Sequence, residues 1–184
     1  MAKTSGGVRG NTKGGIKSVR IAESSIRRNN FETAIAFNAK GKELFRVGGE
    51  QYSVSISNEN MKKLENNILT HNHPRSLGKT GIKGIGNSFS MPDLITAVNA
   101  NASEIRAVTP YGVTFSMKRP KSGWGVSSDT VKKVYKKIEK EVTYELSSRI
   151  ARRTTTVAKA NAVHFHEVNK RVAKRLGWIY SKEK

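Results

Sequence analysis

The sequence predicts an α+β chain, and three observations carry that reading. Between residues 31 and 117, short apolar runs alternate with polar residues and are separated by Gly-, Pro- and Asn-containing turns, as strands with one buried face require. From residue 131 onward the apolar residues instead recur every three or four positions, the spacing of a helix face. None of the 184 residues is cysteine. A disulfide scaffold, a thiolate metal site, an iron–sulfur cluster and a cysteine nucleophile are therefore excluded, and a chain of this length can bury a sufficient core without them.

Each element follows in order. Residues 1–18 are rich in Gly, Ser, Thr and Lys with little that is apolar, and are expected to form a flexible basic arm. Val19 to Ile26 is too brief a pattern to separate strand from helix. Phe31 to Phe37 alternates, Asn38-Ala39-Lys40-Gly41 supplies turn residues and Glu43 to Val47 resumes, which predicts a β-hairpin. After Gly48-Gly49, Tyr52 to Ile56 alternates strictly and reads as a strand; Asn58 to Asn66 reads as loop or short helix. Asn67 to His73 is strand-like and ends in His71-Asn72-His73-Pro74, and the glycine-rich stretch Arg75 to Phe89 reads as a flexible loop. Ser90-Met91-Pro92-Asp93 opens a predicted helix running to Asn101. Ile105 to Thr109 and Val113 to Met117 are strands around a Pro110-Tyr111-Gly112 turn. Val131, Tyr135, Ile138, Val142, Leu146 and Ile150 mark one long helix, Thr154-Thr155-Thr156 a break, and Val157 through Ile179 a second helical pattern. The expected organisation is an arm (1–18), a folded α+β domain (19–125) and a basic helical extension (126–184).

Charge is unevenly spread. Thirty-four Lys and Arg against 14 acids give a formal net charge of +20, with an excess of six bases in residues 1–30, four in 31–120 and ten in 121–184. A nearly balanced centre with basic ends suits a module flanked by polyanion-binding segments. The residues expected to meet nucleic-acid phosphates are Lys132, Lys133, Lys136, Lys137, Arg152, Arg153, Lys170, Arg171, Lys174 and Arg175. Helices of this kind give affinity without sequence information. For the first helix, a solvated face with Glu139, Glu141 and Glu145 as intrahelical partners is the competing reading. Aromatic residues make up 7% of the chain, so base stacking is not the expected mode. No apolar run approaches a membrane span and the first ten residues lack an apolar core of the signal-peptide kind, so a soluble intracellular protein with no membrane partner is expected.

His71 and His73 carry the strongest chemical signal. Residues i and i+2 of an extended segment project to the same side, so both imidazoles can meet one metal ion. Zinc accepts neutral imidazole nitrogens and, in catalytic sites, commonly a carboxylate as third protein ligand. Asp93 in the first turn of the next helix is a candidate for that place, although Ser90-x-x-Asp93 is equally a capping box that needs no metal. His164 and His166 share the i, i+2 spacing but fall in a predicted helix, where they point about 200° apart and cannot share an ion. Gly81 to Gly86 lacks the ending of a phosphate-binding loop. Trp124 and Trp178 read as packing residues.

His71-Asn72-His73-Pro74 followed by Ser90-Met91-Pro92-Asp93 resembles the JAMM (JAB/MPN+) metalloprotease motif, in which a Glu precedes H-x-H-P and then S-x-x-D. The HNHP wording is also similar to RadC-type proteins and to JAB-like domains of bacteriophages. The resemblance spans about residues 19–120. It implies a mixed β-sheet flanked by helices, akin to the cytidine deaminases, and Zn2+-dependent hydrolysis of peptide or isopeptide bonds. His71, His73 and Asp93 would then bind zinc, Glu32 would be the general acid/base and Ser90 would donate to the oxyanion. Glu23, Glu43 and Glu50 compete with Glu32 for that role. Deamination is disfavoured in a chain without the Pro-Cys-x-x-Cys ligands. A bacterial cytoplasmic or virion-associated location is expected. The alternative function is a catalytically inactive JAB-like protein that binds nucleic acid in phage particle assembly or DNA packaging.

Overall fold

Residues 13–51, 53–74 and 87–183 are described by the structure, a computed structural model. The elements run α1 (Lys13–Ile26), β1 (Thr33–Phe37), β2 (Glu43–Gly48), α2 (Asn58–Lys63), β3 (Ile68–Asn72), α3 (Met91–Asn99), β4 (Glu104–Val108), β5 (Thr114–Lys118), α4 (Ser128–Ala151), α5 (Val157–Leu176) and β6 (Ile179–Glu183). The strands form one mixed sheet in the order β2-β1-β3-β4-β5-β6. β3 and β4 are parallel, joined by a crossover through α3, and the other neighbours are antiparallel. The chain is thus α+β with a mixed sheet flanked by helices.

Strand alternation divides the interior in two. Ala34 and Ala36 of β1 and Leu69 of β3 face a large core with Leu94 of α3, Val131, Tyr135 and Val142 of α4, and Val168 and Val172 of α5. Ile35, Phe37 and Ile68 face the other way, onto Val19, Ala22 and Ile26 of α1. Beside that smaller core the fully buried Arg106 donates to Glu23 of α1 (2.6 Å), Glu104 of β4 (2.7 Å) and Glu183 of β6 (3.1 Å).

The local signals explain several boundaries. Asn38 Oδ1 accepts the N–H groups of Lys40 and Lys42, both at 3.0 Å, and closes the β1–β2 turn. Ser127 caps α4, which ends at Ala151 with Arg152 as its C-cap, and Thr156 caps α5, so the run of three threonines does break the helical stretch. Trp124 and Trp178 are buried edge to face against one another, with ring centroids 4.7 Å apart.

Four expectations need correction. The expected arm at 1–18 overlaps α1, which begins at Lys13; residues 1–12 lie outside the described residues. Ile16 continues the stripe of Val19, Ala22 and Ile26, and Gly15 stands where a Cβ would lie 2.3 Å from the Ala39 carbonyl oxygen. The residue type that suggested looseness therefore serves close approach. Tyr52 to Ile56 was expected to be a strand, but the described residues 53–57 join no ladder. Val54 and Ile56 alternate because they pack on the large core, without a strand to pair with. The predicted α3 end at Asn101 comes earlier, at Asn99. Finally, the helical pattern through Ile179 stops at Leu176: Gly177 takes a left-handed φ of 70° and turns the chain into β6, which pairs with β5. The expected helical extension at 126–184 therefore ends in the sixth strand of the sheet. The loop read at Arg75 to Phe89, with Gly81 to Gly86, lies outside the described residues up to 86.

Candidate metal centre

The site is built at the carboxyl end of the parallel pair β3–β4, where open sheets present ligand-binding crevices. His71 is the fourth residue of β3, held between Ala34 of β1 and Ala107 of β4, and its side chain faces the large core side. His73 follows the strand, but its backbone N–H still reaches Val108 O at 3.0 Å, so the extended geometry continues. Both rings are buried, with Nε2 atoms 3.0 Å apart.

Asp93 arrives from the first turn of α3. The expected capping box is present: Asp93 Oδ2 accepts the Ser90 backbone N–H at 2.7 Å and the Ser90 hydroxyl at 2.8 Å, and Ser90 Oγ accepts the Asp93 N–H. The other oxygen, Oδ1, lies 3.5 Å from His71 Nε2, and Oδ2 lies 3.9 Å from His73 Nε2. The cap and the ligand set are therefore one arrangement, with the cap fixing the carboxylate that faces the two rings.

The donor chemistry fits a divalent metal. One donor atom from each of His71, His73 and Asp93 lies within 4.8 Å of the others. Two donors about 2.0–2.1 Å from a tetrahedral zinc stand roughly 3.3 Å apart, close to the spacings here. His73 Nδ1 is 2.7 Å from the Asn87 carbonyl oxygen. A carbonyl only accepts, so the proton of the ring sits on Nδ1 and Nε2 keeps its lone pair, the usual role of an outer partner in metal sites. His71 Nδ1 is buried without a well-formed hydrogen bond, and the Arg106 backbone gives the charged ring only the weakest of its supports. Among the described residues, this is the group of His, Asp and Glu side chains that can hold a metal ion.

The electrostatics match a pre-formed cation site. Burial disfavours the charged His71 ring, but the Asp93 carboxylate, by charge and hydrogen bond, and Glu32 outweigh it and raise its pKa. Burial and the neighbouring His71 push His73 down to about 4. Burial also works against the Asp93 anion, yet His71, His73 and Ser90 together hold its carboxyl well below the usual carboxylate range.

Glu32 stands just before β1, half-buried, and it senses the centre: burial raises its pKa, His71 lowers it and Asp93 raises it, for a net rise. Its place is fixed by Asn72, the residue between the two histidines. Asn72 points to the opposite face of the strand, where its Oδ1 accepts the Thr33 N–H at 2.7 Å and its amide donates to Phe31 O at 3.0 Å. Glu32 also exchanges backbone hydrogen bonds with Gly49 and Glu50. The competing glutamates are placed elsewhere: Glu23 is bound to Arg106 and Thr70 on the α1 side, Glu43 pairs with Arg46, and the Glu50 side chain is exposed. Ser90, expected as an oxyanion donor, gives its hydroxyl proton to Asp93 instead.

Two supports of the site had no sequence signal strong enough to find them. Asn72 was readable only as the spacer in H-x-H. The segment 87–89, which orients His73, is held by the C-terminal elements: Asn169 of α5 and Tyr135 of α4 donate to Phe89 O at 2.7 and 3.3 Å, and Ser88 Oγ lies 2.8 Å from the Tyr180 hydroxyl of β6. His166 bonds that same hydroxyl and His164 bonds Thr143, so the second histidine pair serves packing.

Five of the ten residues expected to bind nucleic acid share one groove. Lys133, Lys137, Arg171, Lys174 and Arg175 line one groove between α4 and α5. Lys136 and Lys170 are exposed on the same helices, and Lys132 is paired with Asp129 at 3.2 Å. Arg152 and Arg153 lie at the other end of α4, about 22 Å further along the helix axis.

No protein-family model matches the chain, and neither the curated proteins nor the solved structures give a match. No helix among the described residues is long and apolar enough to cross a membrane.

Proposed function

We propose that the chain is a zinc-dependent hydrolase of peptide or isopeptide bonds, as its likeness to the JAMM motif implies. The observation that carries this reading is the convergence of His71, His73 and Asp93 donors with a half-buried carboxyl, Glu32, electrostatically coupled to them. When bound, zinc supplies Lewis acidity, which polarises a scissile carbonyl and acidifies water.

The chain's own residues supply the remainder. His73 is held in its metal-binding tautomer by Asn87, and Asp93 is held by the Ser90 cap. Glu32 takes the proton of the attacking water on its carboxylate and returns it to the departing amine nitrogen. A carboxyl whose pKa is raised towards working pH suits both transfers. Asn72 positions Glu32 by gripping the backbone on either side of it. Ser90 acts by orienting Asp93, because its hydroxyl proton is already committed.

The test is Glu32→Gln, assayed for zinc affinity and for cleavage of a panel of peptides and lysine-linked isopeptides. Zinc affinity should be retained and hydrolysis should fall by about 10²–10⁴-fold, the usual contribution of a general acid/base. A zinc-loaded wild type that cleaves no member of the panel, or an active Glu32→Gln, contradicts the proposal.

A further inference from the structure

The groove between α4 and α5 has no part in the metal centre. Residues 133–141 of α4 face residues 171–175 of α5 across a space of about 520 Å³, with Val134 and Ile138 on its floor. Five bases line it against one acid, Glu141. Arg171 is engaged, its two terminal nitrogens each 2.7 Å from the Glu145 carboxylate. The side chains of Lys133, Lys137, Lys174 and Arg175 form no ion pair or hydrogen bond among the described residues.

Some bases elsewhere find an acid within their own element: Lys63 pairs with Glu59, Arg46 with Glu43 and Lys132 with Asp129. Like charges at i and i+4, as in Lys133–Lys137 and Arg171–Arg175, weaken an isolated helix. Here both walls repeat that pattern, facing each other across an open groove. Each wall places its charges one turn, about 6 Å, apart. Such rows suit a line of negative charges better than a single small anion.

We propose that this groove binds the phosphate backbone of a nucleic acid duplex without reading its sequence. A duplex carries one charge per roughly 1.7 Å of axis, whereas an extended acidic peptide reaches at most one per about 3.3–3.6 Å. A duplex also presents its charges on a rigid frame, whereas an acidic peptide must give up backbone freedom to extend along the groove, so the duplex is the better-suited occupant. No aromatic ring lines the groove, so no base is stacked there. The chain's net charge of +20 steers any such polyanion towards it.

The test uses the full chain and a fluorescent 20-base-pair duplex of arbitrary sequence, titrated across salt concentrations. Two variants with the same change in net charge are compared: Lys133→Gln/Lys137→Gln/Lys174→Gln/Arg175→Gln, and Lys40→Gln/Lys42→Gln/Lys62→Gln/Lys63→Gln as control. The groove variant should reduce the slope of log affinity against log salt by about 3 to 4, four contacts at roughly 0.9 each. The control should leave the slope close to wild type, and a duplex of shuffled sequence should bind equally. The groove variant should keep wild-type zinc affinity and circular dichroism, so the outcome is separate from that of the hydrolase reading. An unchanged slope in the groove variant, or an equal loss in the control, overturns the proposal. So does displacement of the duplex by poly-glutamate at equal charge concentration, or a wild-type dimer that the groove variant dissolves.

Discussion

Asp93 does separate work with its two carboxylate oxygens, and a pair of substitutions can divide that work. Oδ2 receives the Ser90 N–H and hydroxyl at 2.7 and 2.8 Å, while Oδ1 faces His71 Nε2 at 3.5 Å. Ser90→Ala deletes the hydroxyl bond and the acceptor of the Asp93 N–H but leaves the Ser90 backbone N–H on Oδ2. The loss of that cap should lower stability by about 1 kcal/mol. Loss of an outer partner of a metal ligand should lower zinc affinity by about 10–100-fold. Asp93→Asn keeps an oxygen that can accept the Ser90 N–H, so much of the cap survives, but it removes the only formal negative charge among the three donors. Its zinc affinity should fall by more than that of Ser90→Ala, beyond about 100-fold. Competition against a chromophoric chelator reads the affinity, and urea unfolding in excess chelator reads the cap. If Asp93→Asn binds zinc within about threefold of wild type, a change below even the outer-partner range, Asp93 is a helix cap alone and the ligand set is wrong.

Two further outcomes follow from the buried charges. In excess chelator His73 stays neutral down to about pH 4, against 6.5 when unfolded. Unfolding then takes up a proton between those values, so stability should fall on acidification by about 1.4 kcal/mol per pH unit from this group. His71, whose pKa is raised, is protonated in both states at the acid end of that window and does not offset the loss there. Urea midpoints across pH 4–6.5 should therefore decline more steeply for wild type than for His73→Gln; parallel profiles contradict the burial of a neutral ring. Arg106→Met leaves Glu23 and Glu104 buried without their guanidinium, and should cost about 3–5 kcal/mol at neutral pH. A loss under about 1 kcal/mol at neutral pH contradicts the role assigned to this cluster.

What the sequence made legible was what neighbouring residues decide among themselves. The β1–β2 hairpin rests on Asn38 and Gly41, α3 on the Ser90–Asp93 box, the α4–α5 break on three threonines, and the paired rings on the two-residue repeat of a strand. The misreadings came where distant partners decide. Gly15 looked like a loose-arm residue because the Ala39 carbonyl it must clear is 24 positions away. Ile179 matched the stripe of α5, and the left-handed Gly177 before it was the signal that the helix had ended. Tyr52 to Ile56 has a strand's alternation in sequence, yet its described residues 53–56 join no ladder. The same holds within the site: the likeness to the motif puts Glu32 ahead with Glu23 as a competitor, and it is α1 that carries Glu23 to the opposite face of the sheet, beside Arg106. Asn72, Asn87 and Asn169 work through backbone groups that no spacing rule locates.

The most direct measurement is the metal content of the full chain, purified without chelator, by native mass spectrometry alongside His71→Ala/His73→Ala. The account requires one zinc ion per wild-type chain, with X-ray absorption showing two imidazole nitrogens and oxygen donors near 2.0–2.1 Å, and no bound metal in the double variant. A metal-free wild type that also fails to take up added zinc, or a double variant that retains it, would mean that these three side chains meet for reasons of packing alone.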